Sequence, residues 1–254
     1  MTLPALPDET FQRVLCVVAH PDDMEYGASA AVARWTARGI EVGYLLLTRG
    51  EAGMPNPPEE TARLRVAEQR AACAAVGVEH LTVLEHPDGV LVYGLDLRRD
   101  ICREIRRFKP DVVLGSGFDI ETPWGFDQAD HRAAGLATLD AIRDAGNRWV
   151  FPEQIEDEHL EPHSARWYIV PGLGTATHGV DVTGEPLRRG IASLEAHAAY
   201  LAALPDHPAP ADFIPQFAAM SGKAMGVEHA VLFRAHDLQA PPSFAPDDTA
   251  DSAE

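Results

Sequence analysis

Four short apolar runs punctuate the first half of the chain, each followed by a stretch with helical spacing. Val14–Ala19, Glu41–Thr48 ("EVGYLLLT"), His80–Glu85 ("HLTVLE") and Asp111–Gly117 ("DVVLGSG") read as strands, the first of them covered on both faces. Gly27–Arg38 is Ala-rich and stopped by Gly39, Glu59–Val76 is closed by Gly77, and Leu95–Phe108 and His131–Asp144 complete the set of helices. Strands separated by helices of this length predict βαβ crossovers and a parallel sheet, hence an α/β fold.

Two connections are long enough to suggest work beyond joining elements. "TRGEAGMPNPPEE" carries three prolines, and residues 118–130 run from the fourth strand to its helix. The second half is less regular: it offers one apolar strand, Trp167–Val170, and a helix over Pro186–Leu204. Residues 241–254, Pro- and acid-rich, are expected to form a disordered acidic tail after a single domain spanning 1–240.

Composition narrows the function classes. The 254 residues hold 21 Lys and Arg against 39 Asp and Glu, a formal charge of −18 that disfavours nucleic acid and anionic membranes as partners. The one basic run, "RRFK" near Arg106, reads as a solvated helix end. No run approaches the ~18–20 apolar residues of a membrane span, and the N-terminus lacks the basic start and apolar centre of a signal peptide, so a cytoplasmic protein is expected. Cys16, Cys73 and Cys102 lack metal-finger spacing and read as reduced core thiols.

The candidate chemistry sits at strand ends. His20 and Asp23, just past the first strand, can offer an imidazole nitrogen and a carboxylate oxygen to one ion, and a catalytic zinc typically takes three such ligands. His131, at the start of the helix after the fourth strand, lies on the same carboxyl edge and is the candidate third ligand. Asp22 is then free to act as a general base on a metal-activated water. His-Pro-Asp-Asp is equally a good turn followed by a helix cap, and that alternative stays open on spacing alone. The same ligands also suit iron or cobalt. Neither Ser116 nor Ser164 has a nucleophile-elbow context, and "LGSGFD" lacks phosphate-loop spacing. His80, His86 and His159 read as surface residues.

Several motifs in order, "AHPDD", "LTRGEAG", "RVAEQRAACAAVGV", "LEHPDG", "DHRAAG" and "VDVTGEPLRRGIASLEAHAAYL", together resemble the GlcNAc-phosphatidylinositol de-N-acetylase family, also called PIG-L or LmbE-like. The resemblance implies a Rossmann-like fold, a mainly parallel sheet flanked by helices with the active site at the carboxyl edge. It also implies a zinc-dependent hydrolase that removes acyl groups, usually acetyl, from amino sugars. It assigns His20, Asp23 and His131 to the metal, Asp22 to the general base, and Arg65 and Asp88 to the substrate side. Arg65 has a local alternative partner in Glu68, and Asp88 has one in the "HPDG" turn.

One departure stands out. Family members carry His-Pro-Asp-His where this chain has Gln128-Ala129-Asp130-His131, so the oxyanion-side donor would be Gln128, which donates a hydrogen bond but cannot become cationic. His178 and His197 are candidates to stand in, with His197 placed on the substrate side. The expected substrate is a small amino-sugar derivative. A larger sugar–thiol or natural-product conjugate is the alternative, its pocket walled by Trp124 and Phe126. A metal-binding but non-catalytic protein is the rival of another class, and a homo-oligomer is left open.

Overall fold

Alternate residues of β1 (Arg13–Val18) enter two different cores. Val14, Cys16 and Val18 pack into one layer with Trp35 of α2 (Ser29–Ala37) and Val76 of α3 (Pro58–Val76). Leu15 and Val17 pack into the other, with Ile101 of α4 (Leu95–Phe108) and Ala137 of α5 (Ala129–Gly146). A strand covered on both faces must be apolar at every position, which is why it reads as a continuous run. The computed structural model describes residues 2–122, 125–172 and 174–240.

Among these residues seven strands form one sheet. With β2 (Glu41–Leu46), β3 (His80–Val83), β4 (Val112–Gly115), β7 (Trp167–Pro171), β8 (His178–Asp181) and β9 (Ala230–Asp237), the order is β3-β2-β1-β4-β7-β9-β8. The first five of that order run parallel, and β9 pairs antiparallel with both β7 and β8. The mostly parallel α/β sheet flanked by helices agrees with the sequence expectation. A separate hairpin, β5 (Glu121–Thr122) with β6 (Gly125–Phe126), lies in the long connection before α5.

The other helices are α1 (Asp23–Gly27), α6 (Glu153–Glu156), α7 (Glu185–Glu195), α8 (Ala198–Ala203) and α9 (Pro210–Met225). Two expected helices are in fact pairs. The one read over Gly27–Arg38 starts earlier, at Asp23, and breaks at Ala28, whose φ of −144° is not helical. The one read over Pro186–Leu204 breaks at His197. The second half also holds α9, β8 and β9, for which the pattern offered no sign. Pro210 and Pro215 mask α9, and β9 interleaves Arg234, His236 and Asp237 with its apolar residues.

The "RRFK" reading holds for Arg107 and Lys109, which are exposed, and fails for Arg106. Arg106 is 0% exposed. Its guanidinium donates to the carbonyls of Asp144, Ala145, Asn147, Val150 and Phe151 and to Gln154 Oε1, at 2.8–3.2 Å. The cation thus closes the C-terminal end of α5, where orphan carbonyls and the helix dipole both favour positive charge. Its helical position was legible; its burial was decided by the neighbouring helix end.

Candidate metal centre and its cavity

The chain leaves β1 toward β2 and β3 on one side, then returns to place β4 on the other side of β1. The segments following β1 and β4 therefore part to opposite faces of the sheet, and the crevice between them is where open α/β sheets bind ligands. His20, Asp22 and Asp23 after β1 and Ser116, Asp127, Gln128 and His131 after β4 line it.

The turn after β1 is held by three long-range bonds. Asp22 adopts φ +83°, a left-handed conformation that a non-glycine residue keeps only when its surroundings enforce it. Its N–H donates to Gln69 Oε1 at 3.0 Å, while Arg65 Nη2 donates to the Pro21 carbonyl at 2.6 Å and pairs with Asp22 Oδ1 at 2.9 Å. Arg65 reaches this point through the "LTRGEAG" loop because two glycines make room. A Cβ on Gly50 would lie 2.6 Å from Arg65 Nη1, and one on Gly53 would collide with the same atom.

His20, Asp23 and His131 converge, with one ligand atom from each lying within 4.8 Å of the others. Asp23 Oδ1 is 3.6 Å from His20 Nδ1 and 3.1 Å from His131 Nε2. The remaining nitrogen of each ring also meets a carboxylate. His20 Nε2 lies 3.0 Å from Asp88 and 3.4 Å from Asp130, and His131 Nδ1 lies 2.8 Å from Asp127. Asp130 is itself fixed by the N–H groups of Gly89 and Leu91. Histidines backed by carboxylates in this way are oriented as metal ligands are, and a His-Asp-His donor set fits a divalent ion.

Charge distribution tells the same story. Burial alone would lower the His20 pKa, but its bonds to Asp23 and Asp88 lift it to about 11. Burial is likewise outweighed at His131, which Asp23 and Asp127 raise to about 9. Asp23, for which burial works upward, is lowered by His131 and His20. The cluster holds excess negative charge that draws positive charge to its centre, the requirement a cation satisfies. Asp22 differs: burial raises it to about 7 although Arg65 opposes the rise.

A cavity of about 990 Å³ opens beside these residues. Asp22, Arg65, Asp88 and Gln128 all line it. Arg65 pairs with Asp22 rather than with Glu68, whose carboxylate instead accepts the N–H groups of Ala199 and Tyr200 at the start of α8. Gln128 sits exposed as the residue before α5. His197 is not brought to the cavity: it is buried, with Nε2 3.7 Å from Glu25. Nor does His178, on β8, line it. Phe126 points away, 79% exposed and outside the lining, and Trp124 lies outside the described residues.

Sequence reasoning passed over Asp127, Asp130, Gln69 and Tyr200. Asp127 carried a usable signal, since it precedes His131 by one helical turn and a carboxylate there can reach the ring. Tyr200 lines the cavity with its ring 4.1 Å from the Arg65 guanidinium, and nothing in "AHAAYL" announces that contact.

The model of the family "PIG-L: GlcNAc-PI de-N-acetylase" matches residues 15–142. A diacetylchitobiose deacetylase of Thermococcus kodakarensis is 32% identical over 145 residues, covering 55% of this chain and 52% of its own length. The chain thus spans about half the length of that relative. A 1D-myo-inositol 2-acetamido-2-deoxy-alpha-D-glucopyranoside deacetylase of Kineococcus radiotolerans is 30% identical over 247 residues, 74% of this chain and 68% of the relative. Among solved structures, the N,N'-diacetylchitobiose deacetylase of Pyrococcus horikoshii superposes with a TM-score of 0.81 at 23% identity, covering 91% of this chain and 86% of that one.

Proposed function

Because the chain belongs to the PIG-L family, we propose that it is a zinc-dependent hydrolase removing an N-acyl group, acetyl above all, from an amino-sugar derivative. The observation that carries the reading is the convergence of His20, Asp23 and His131, each histidine backed on its second nitrogen by a carboxylate. Zinc held by these three residues would polarise an amide carbonyl and acidify a water, the chemistry that amide hydrolysis needs.

The chain's own residues supply the rest. Asp22, buried beside the ligands and lining the cavity, takes the proton of the attacking water and returns it to the departing amine nitrogen. A carboxylate raised to about 7 is suited to both transfers near neutral pH. Arg65 and Gln69 hold it in place, one at the carboxylate and one at the backbone N–H. Gln128, on the cavity wall, donates its amide N–H toward the acyl oxygen. Asp88 acts chiefly by orienting His20 and offers its remaining acceptor capacity to a sugar hydroxyl. A protein that merely stored a metal has no use for Asp22 so placed.

The test is amine release from N-acetylglucosamine derivatives by metal-free protein, with and without added zinc, beside His131→Ala. Zinc-dependent release that is lost in the variant is the expected result. Release that survives both chelation and the substitution overturns the proposal.

A further inference from the structure

We infer that an aromatic wall built by α1 and α9 binds an apolar, ring-bearing group attached to the amino sugar, so that the preferred substrate is a glycoside with such an aglycone. This inference rests on the deacetylase reading and names the part of the substrate that reading leaves open.

One cavity holds both regions. The lining that includes Asp22, Asp23 and His131 continues over Tyr26, Phe213, Ile214 and Phe217. At about 990 Å³ it stands near the top of the range of about 300–1,000 Å³ that encloses drug-sized ligands, and a lone N-acetylhexosamine would leave much of it wet. Tyr26 stands one helical turn beyond Asp23 on α1, so the wall begins next to the candidate metal ligands.

The rings are organised before any ligand arrives. Tyr26 stacks on Phe213 with centroids 6.1 Å apart and planes 21° apart, and Phe213 meets Phe217 edge-on at 6.2 Å. His207 packs edge-on against Phe213 at 5.6 Å and lies 2.8 Å from the Tyr26 hydroxyl, fixing both. Despite this order, Phe217 is 51% exposed. An aromatic face held rigid, left open to water and continuous with a reactive centre is complementary to another ring.

Charge selects the kind of group. Among the described residues, Arg65 and Arg234 are the only arginines or lysines in the lining, and each is paired, with Asp22 at 2.9 Å and Asp119 at 3.0 Å. Away from the candidate metal centre an anionic conjugate would have to share an arginine with its carboxylate partner, whereas a neutral ring would find the stack. The family match ends at residue 142, so Phe213 and Phe217 belong to the part of the chain beyond it.

The experiment compares kcat/KM for 4-nitrophenyl N-acetyl-β-glucosaminide with that for free N-acetylglucosamine, using zinc-loaded enzyme and Phe217→Ala. The expected ratio favours the aryl glycoside by about ten-fold, the weight of one good aromatic contact, and falls close to one in the variant. Because the ratio is internal to each protein, partial loss of folded material does not affect it. Equal kcat/KM for the two sugars, or a preference that survives Phe217→Ala, overturns the inference while leaving the deacetylase reading intact. No amine from either sugar with zinc bound removes that reading, and this one with it.

Discussion

Arg65 and Arg106 are both buried cations, set on helices that cover opposite faces of the same sheet. Arg106 on α4 spends its guanidinium on neutral oxygens, five backbone carbonyls and one side-chain amide, and touches nothing that reacts. Arg65 on α3, which lines the cavity, pairs with the Asp22 carboxylate and stacks on Tyr200, and its buried Nε has no hydrogen-bond partner among the described residues. Burial of a charge therefore does not by itself mark a site. The partner does: carbonyls at a helix end make an arginine a cap, whereas a carboxylate facing a cavity makes it a candidate for the proposed reaction centre.

The sharpest test of the Arg65 side is its partner. Asp22→Asn, nearly isosteric and tolerant of a left-handed backbone, is expected to lower kcat by ~10²–10⁴ while zinc remains bound. Retained turnover in a zinc-loaded variant would sink the role given to Asp22. On the other side, Arg106→Met strips six acceptors of their donor, four of them in buried bonds, and urea titration should show a loss of about 3–5 kcal/mol. Arg106→Lys should recover little, because a point charge cannot span acceptors spread around a planar fork.

Arg65→Met is predicted to behave the other way round. The stranded Asp22 carboxylate can take up a proton, and only the Pro21 and Gly50 carbonyls lose a donor besides, so the stability loss should be the smaller of the two, about 2–3 kcal/mol. The kcat/KM should nevertheless fall by about 10–100-fold, since Asp22 loses the group that aims it. A variant that is instead badly unfolded but fully active per folded molecule would erase the contrast between the two arginines. The smallest effect is expected at Asp127→Asn. Zinc affinity, read by competition with a chelator, should drop by about 10–100-fold with the fold intact, because His131 keeps its place but loses its carboxylate.

Much of this molecule was legible in the letters. The span of α4, Leu95–Phe108, is the same in sequence and structure, and the first four strands fall where their apolar runs placed them. His20, Asp23 and His131 were brought to one edge by strand order alone. The partners were harder. Glu68 lies one turn from Arg65 and looked available, yet it caps α8 while Arg65 crosses to Asp22. Aromatic lining was expected from the connection before α5, where Phe126 stays outside the cavity and Trp124 lies outside the described residues; Tyr26 of α1 and Phe213 and Phe217 of α9 line it, and α9 drew no helical reading.

Two kinds of information were at work. By itself the sequence determined the α/β order of the first half and brought the candidate ligands to the strand ends, because hydrophobic period, helix stops and short crossovers act within one or two elements. Tertiary structure alone decided which acceptors each buried cation meets and which rings face the cavity. Those choices join Arg65 to Pro21 across 44 positions and Tyr26 to His207 across 181. At such distances no local period applies, and the contact goes to whichever group the packing of the sheet and its helices carries into reach.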